Sequence, residues 1–95
     1  MGKAAFHPEN MRVNFLDVPL EEVELFLRHL REATVTAEEN LEGHIWFARV
    51  IHAVRAEDGR IVTLWFFFEA DSSESVYVES RLEGNSIVTR WGNRF

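Results

Sequence analysis

A run of large apolar residues in the middle of the chain constrains the fold more than any other feature. The run, Leu64 to Phe68, reads Leu-Trp-Phe-Phe-Phe and contains no polar or charged side chain. Successive side chains of a β-strand point to opposite faces of the sheet, so a strand with this sequence is apolar on both faces. One face can pack against a helix. The other face, which would carry Trp65 and Phe67, needs a second cover because a bare strand of this kind aggregates in water.

The second half of the chain predicts an antiparallel meander around this run. Four strands are expected, at about residues 44–56, 60–70, 75–83 and 86–92. Short segments rich in Gly, Asn, Asp and Ser separate them, and these residue types form tight turns. Gly59 and Gly84 are placed to adopt the positive φ angles that short hairpin loops need. Each strand is therefore expected to pair with the next one along the chain.

The turns also predict the register of the strands, because a slip of one residue turns every side chain to the other face. A two-residue turn at Gly84 and Asn85 pairs Glu79 with Arg90, which is a favourable cross-strand ion pair. The same turn pairs Leu82 with Ile87, Ser80 with Thr89 and Val78 with Trp91. In the first hairpin, a three-residue loop with Gly59 as its bulge residue keeps charged side chains off the apolar face. That loop pairs Val54, Val50, Ala48 and Trp46 with Val62, Phe66, Phe68 and Ala70.

The first half predicts one strand and one long helix. Met11, Val13 and Phe15 alternate with polar residues, as in a half-buried strand. A helix follows at about 19–33, because acidic residues gather at its start and basic residues at its end. Its buried stripe is expected to contain Leu20, Val23, Phe26, Leu27, Leu30 and Ala33. A capping-box pattern then predicts a short second helix near 37–42.

These elements define an α+β domain of order β-α-β-β-β-β, in which one long helix packs on a four- to five-stranded antiparallel sheet. Residues 1–10 are expected to form a flexible N-terminal arm, and residues 11–95 a single domain. The order of elements resembles the cystatin-like architecture, in which a curved sheet wraps a helix. Where inhibitory cystatins carry a Gln-x-Val-x-Gly loop, this chain has Ala-Glu-Asp-Gly at 56–59. The resemblance therefore implies the topology and not inhibition of cysteine proteases.

The net charge of −6 is concentrated in one segment. Residues 17–42 hold eight acids and two Arg, which already accounts for −6. We expect an acidic pole there, with members that include Glu21, Glu24, Glu38, Glu39 and Glu42. Nucleic acids are bound through basic residues that neutralise phosphates, so nucleic acid is not an expected partner. The pole is expected to be a solvated helix face, or alternatively a surface for a basic partner protein.

Three further features favour a cytoplasmic protein. The chain has no Cys, which suits a reducing compartment. Its first residues lack the apolar core of a signal peptide. The run from Leu64 to Phe68 is too short to cross a bilayer, so no membrane association is expected.

The sequence carries no catalytic or cofactor-binding motif, neither a glycine-rich phosphate loop nor a metalloprotease helix. His44 and His52 lie on one predicted strand about 26 Å apart, which is too far to share a metal ion. We expect His52 opposite Leu64 in the core. We expect His29 in solvent at the end of the helix. No metal, cofactor or catalytic residue is therefore predicted.

The cover that the apolar run requires gives the functional hypothesis. On the face away from the helix we expect an interface made by Phe47, Arg49, Ile51, Ile61, Trp65 and Phe67. A second copy, another protein or the chain's own terminal segments could cover it. We favour a homodimeric regulator, adaptor or inhibitor that binds protein through this face. The alternative is a small-ligand-binding protein or enzyme with an apolar pocket between helix and sheet, lined by Trp46, His52, Phe66, Phe68 and Trp91.

Overall fold

One helix packs on a five-stranded sheet in the part of the chain that the structure, a computed structural model, describes, namely residues 12–13 and 22–93. The elements in chain order are β1 (Arg12–Val13), α1 (Val23–Asn40), β2 (Ile45–Arg55), β3 (Ile61–Ala70), β4 (Ser75–Glu83) and β5 (Ser86–Gly92). The strands lie in the same order across the sheet. β1 runs parallel to β2, and β2 to β5 form an antiparallel meander. The α+β class and the meander are therefore confirmed, and β1 is the exception to the antiparallel pairing.

Some of the predictions fall on residues outside the described ones. They concern the arm at 1–10, Met11 and Phe15 of the first strand, Leu20 of the helix and Glu21 of the acidic pole. Within the described residues, no helix has both the length and the apolar character that a membrane crossing needs.

The helix α1 is longer than predicted and absorbs the expected second helix. It continues without a break through Asn40, so the separate helix near 37–42 is not present. Ala37 is fully buried in the core, and Thr36 Oγ1 shares a hydrogen bond of 2.6 Å with Thr89 Oγ1 of β5. These contacts to the sheet favour one continuous helix over the local capping preference that predicted an interruption.

The buried side of α1 differs from the predicted stripe. Its buried residues are Phe26, His29, Leu30, Ala33, Thr34 and Ala37. Leu27, expected inside, is 46% exposed, whereas Leu25, which is not part of the predicted stripe, packs against the core. The helix lies over β3, β4 and β5, and the small residues Ala33 and Ala37 continue the buried side along its second half. The burial of Ala33 and Ala37 therefore determines which side of the longer helix faces the sheet.

The hairpin of β4 and β5 matches the predicted register throughout. Gly84 has φ +63°, as the first central residue of a two-residue hairpin turn requires. All the predicted pairs are found, including Val78 with Trp91. The expected ion pair is also present, with Arg90 Nε 2.8 Å from Glu79 Oε1.

The hairpin of β2 and β3 matches the prediction only in part. The three-residue loop is confirmed, because Gly59 has φ +89° and Ala56 N donates to Arg60 O at 2.8 Å. The pairs of Val50 with Phe66 and Ala48 with Phe68 are also confirmed. Val54, however, pairs with Thr63 instead of Val62.

Two register shifts explain this partial agreement. Val62 is an extra residue on β3, and Ile51 is an extra residue on β2. Each bulge shifts the register by one residue in the opposite sense, so the predicted register returns after both. Only the segment between the two bulges is slipped. In that segment His52 pairs with Trp65, not with Leu64. A third shift puts Ile45, not Trp46, opposite Ala70. Since a slip of one residue changes the face, these bulges decide which side chains reach the outer surface.

The turn after β3 holds the segment that leaves α1. His44 N donates to Asp71 Oδ1 at 3.0 Å, and Asp71 N donates back to His44 O at 2.8 Å. Ser72 Oγ also donates to Glu42 O at 2.8 Å. Gly43 lies between these contacts with φ +90°, a conformation that residues with a Cβ rarely adopt. This junction orients α1 over the sheet.

Candidate functional site

A row of aromatic rings crosses the outer face of the sheet, the face turned away from α1. We call it the aromatic face, and its members are Trp46, Phe47, His52, Trp65, Phe67 and Tyr77. Ring centroids are 5.5 Å apart for Trp46 and Phe47, 6.3 Å for Phe47 and Phe67, and 5.2 Å for Phe67 and Tyr77. His52 lies 5.3 Å from Trp65 in the neighbouring row. Such separations are typical of rings that pack on one another.

Charged residues surround these rings. Arg49 pairs with Phe67, and Glu69 pairs with Phe47, so an acid and a base lie on diagonal positions of the same face. Neither side chain makes a hydrogen bond with any described residue. On the far side of Trp65, Glu79 accepts two hydrogen bonds from Arg90. The face therefore has an apolar centre and a charged rim, the usual arrangement of a protein interface.

The aromatic face offers less open apolar area than the sequence suggested. Phe47, Trp65 and Phe67 are half-buried, since Phe47 and Phe67 pack on each other and Trp65 packs on His52. Three apolar side chains on β2 are more exposed than these rings. They are Trp46 at 44%, Ile51 at 40% and Val54 at 41% exposure. A partner that covers the face would have to extend over β2 to bury them.

Most of the predicted interface residues lie on or beside the aromatic face, with one exception. Phe47, Arg49, Trp65 and Phe67 are on the outer face, and Ile51 is the extra residue of the bulge next to His52. Ile61 is the exception, because the register shift near the loop pairs it with Arg55.

Two observations place Ile61 on the helix side of the sheet. Arg55, its pairing partner, forms an ion pair of 2.6 Å with Glu22 at the start of α1. Ile61 itself is 1% exposed and belongs to the core cluster with Phe26 and Leu64. The prediction that Ile61 contributes to the outer surface is therefore wrong.

Sequence reasoning missed three members of the aromatic face. Tyr77 alternates with the buried Val76 and Val78, a signal that was present in the sequence. His52 and Trp46 reach this face only because of the bulges in β2, and no turn residue marks those positions.

The five residues predicted to line a pocket are not brought together. Phe66 and Phe68 are fully buried and pack on each other with ring centroids 5.7 Å apart. Trp46 and His52 belong to the aromatic face, while Trp91 lies on β5 and is 52% exposed. Phe66 and Phe68 are thus part of the close-packed core.

The predicted acidic pole is spread along the helix. Glu24 and Glu39 are exposed near opposite ends of α1, about 22 Å apart at the rise of a helix. Glu38 is half-buried, and Glu42 is exposed beyond the helix end, where its backbone contacts the turn after β3. These carboxylates do not converge on one site.

The histidine with the most unusual surroundings is His29, which was expected in solvent. Its ring is fully buried between α1 and β4, and Nδ1 lies 2.7 Å from Ser80 Oγ. Burial, together with the nearby charge of Arg28, lowers the pKa of His29 to about 4. Among the described residues, no cluster of His, Cys, Asp and Glu has the arrangement of a metal site.

Comparison with known proteins identified no relative of this chain. No protein-family model matches the chain, and neither a curated protein nor a solved structure does.

Proposed function

We propose that this protein is a non-enzymatic protein–protein interaction module that forms a homodimer through the aromatic face. Its role would be that of a regulator, adaptor or inhibitor. The observation that carries the proposal is the continuous row of packed rings from Trp46 to Tyr77, bordered by charged residues and joined to the exposed apolar side chains of β2. Aromatic residues and Arg are enriched in the centres of protein interfaces.

Charge complementarity supports a second copy as the occupant. In a two-fold symmetric dimer the same surface meets itself, so residue i of one subunit contacts residue j of the other and the reverse. Arg49 and Glu69 flank the aromatic rings, and neither side chain forms a hydrogen bond or ion pair with a described residue. A two-fold axis near Phe67 would bring Arg49 of each subunit to Glu69 of the other.

The area needed for such a dimer sets the extent of the interface. A stable interface buries about 800 Å² on each partner, and apolar burial contributes about 25 cal/mol per Å². This gain has to exceed an association cost of about 4 to 15 kcal/mol. The half-buried rings alone do not expose enough apolar area, so the proposed interface includes Trp46, Ile51 and Val54.

Two finer expectations belong to this proposal. One is the cystatin-like arrangement, supported by one helix lying across the strands of a meander. The other is a cytoplasmic location, supported by the absence of Cys.

A charge-swap experiment tests the dimer directly. Arg49→Glu places like charges opposite each other in the dimer, as does Glu69→Arg, so each variant is expected to be monomeric. The double variant restores both ion pairs and is expected to dimerise again. Sedimentation velocity measures the assembly state. Arg60→Glu, the same change of charge in the exposed hairpin loop, is the matched control and is expected to dimerise like the unchanged chain.

The proposal fails if both single variants keep the assembly state of the unchanged chain. It also fails if the double variant shows no recovery, because the predicted contact between Arg49 and Glu69 would then be absent.

A further inference from the structure

The edge of the sheet formed by β5 has hydrogen-bonding groups without a strand partner. β5 is the last strand in the sheet, so only one of its edges is paired among the described residues. Glu83 and Ser86 close the two-residue turn as a hydrogen-bonded pair, and hydrogen bonding to β4 then recurs at every second residue of β5. The backbone N–H and C=O groups that point away from β4 are those of Ile87, Thr89 and Trp91.

This edge also lacks most of the features that usually block strand addition. Its one charged residue, Arg90, is bound to Glu79 on the face away from α1. The strand Ser86–Gly92 contains neither Lys nor Pro, and its pairing with β4 has no register shift. Val88 and Trp91 are 45% and 52% exposed on opposite faces of the strand. A regular edge flanked by exposed apolar residues is a template for one more strand.

A basic cleft lies beside the same edge, between α1 and the start of β5. Its volume is about 340 Å³, and its lining residues are Arg28, Arg31, Glu32, Ser86 and Ile87. Arg28 is anchored by a hydrogen bond of 2.6 Å from Nη2 to Asn85 O. Arg31 is exposed and makes no hydrogen bond with any described residue, so its guanidinium is available. The lining carries a surplus of positive charge in a chain whose net charge is −6.

We infer that α1 and β5 form a groove for an extended acidic peptide segment of a partner protein. The peptide adds to β5 as a further strand and bonds to the outward backbone groups of Ile87, Thr89 and Trp91. Its alternate side chains then point towards the helix side, where a carboxylate reaches Arg31. Arg guanidinium groups bind carboxylates with two parallel hydrogen bonds, which gives the groove its preference for acids.

A second copy of the chain is a poorer occupant of this groove. The side chains of β5 on the helix side are Ile87, Thr89 and Trp91, and none of them is acidic. Strand-to-strand pairing of two copies would therefore leave the arginines of the cleft without carboxylates from the added strand. The groove is also separate from the aromatic face, which lies on the opposite face of β2, β3 and β4, so the inference does not depend on the proposed dimer.

Selection from a display library of random octapeptides tests the preference of the groove. The 95-residue chain is expected to enrich sequences with Asp or Glu at alternating positions. Amide hydrogen exchange with the enriched peptide is then expected to show new protection at Ile87, Thr89 and Trp91. Val88 and Arg90 should change little because their N–H groups already bond to β4. No enriched peptide, enrichment without acids, or protection elsewhere would overturn the inference.

Two pairs of variants separate strand addition from general damage. Thr89→Pro removes an outward N–H without breaking the pairing with β4, and it is expected to weaken peptide binding about tenfold. Thr89→Val loses the same hydroxyl but keeps the N–H, so its affinity should stay within about twofold. Arg31→Glu is expected to weaken binding by about tenfold or more, whereas Arg60→Glu is expected to leave it unchanged.

Equal affinities of Thr89→Pro and Thr89→Val would exclude strand addition. If Thr89→Pro fails to fold, Arg31→Glu decides, because unchanged binding by that variant would exclude the basic cleft as the site. A change in self-association with the β5 variants, without peptide binding, would assign this edge to a second copy and would also overturn the inference.

Discussion

His29 of α1 and Ser80 of β4, fifty-one residues apart in the chain, share a buried hydrogen bond of 2.7 Å between the helix and the sheet. Ser80 Oγ also lies 3.5 Å from Leu64 O. The hydrogen bonds are best satisfied when Nδ1–H donates to Ser80 Oγ and the hydroxyl donates to Leu64 O. Nε2 of His29 has no partner among the described residues. The folded protein therefore holds a neutral histidine in its core.

The neutral His29 makes stability depend on pH. Its pKa is lowered to about 4 in the folded protein, from an ordinary value of 6.5. The unfolded chain consequently takes up the proton first as the pH falls. The neutral state of His29 therefore favours folding fully above pH 6.5. As the pH falls from 6.5 to 4 this contribution is lost, and the free energy of unfolding decreases by about 2 kcal/mol by pH 5.

Urea unfolding at pH 7.5 and pH 5 measures this loss, with His29→Leu as the reference. The variant shares every other titrating group, so the difference in unfolding free energy between the two proteins isolates His29. We expect that difference to shift by about 2 kcal/mol in favour of the variant on acidification. An unchanged difference would mean that His29 is not held neutral.

Ser80→Ala should destabilise the fold through the same contact. The substitution leaves both ring nitrogens of His29 without a partner in the core, and an unsatisfied buried polar group costs about 1 to 3 kcal/mol. Chemical denaturation at pH 7.5 measures the effect. Ser75→Ala, at an exposed position of the same strand, is expected to change stability by less than about 0.5 kcal/mol. Equal effects of the two substitutions would contradict the assignment.

Gly43→Ala is expected to be more damaging than Gly59→Ala, although both glycines have φ near +90°. A methyl group at Gly43 would overlap Asp71 Oδ1, which accepts the hydrogen bond from His44 N. At Gly59 the added group meets nothing. Backbone strain alone costs about 1 kcal/mol, so we expect a larger loss of unfolding free energy at Gly43. Similar losses at the two sites would show that the junction with Asp71 can relax.

Ile51→Asp is expected to prevent dimerisation while it preserves the fold. Ile51 is exposed at the bulge of β2, so the charge is tolerated in the monomer but would be buried in the proposed interface. Leu27→Asp makes the same kind of change on the exposed side of α1 and is the control. Light scattering after size exclusion measures the mass of each. A dimeric Ile51→Asp, or a monomeric Leu27→Asp, would count against the aromatic face.

Local turn chemistry explains where the sequence predicted the fold well. Gly84 lies in the two-residue turn that joins β4 to β5, and this turn determines which residues of the two strands are paired. Every predicted pair in that hairpin follows from it. The same reasoning predicted the loop at Gly59. Turn residues are thus sufficient to predict the pairing of two strands as long as those strands contain no bulge.

The bulges and the helix packing could not be predicted in this way. Ile51 and Val62 are apolar residues within apolar strands, and nothing in their type marks them as extra residues. Their effect was to move His52 to the outer face and Ile61 to the core. Similarly, the burial of Ala37 depends on its contact with the sheet, so periodicity within the helix did not reveal how far the buried side extends.

The mass of the unchanged chain in solution is the simplest test of self-association through the aromatic face. Sedimentation velocity between about 1 and about 100 µM covers the affinities expected for an interface of this size. We predict that the mass rises with concentration to twice the chain mass of 11.1 kDa. A mass of 11.1 kDa at every concentration would show that the chain does not dimerise.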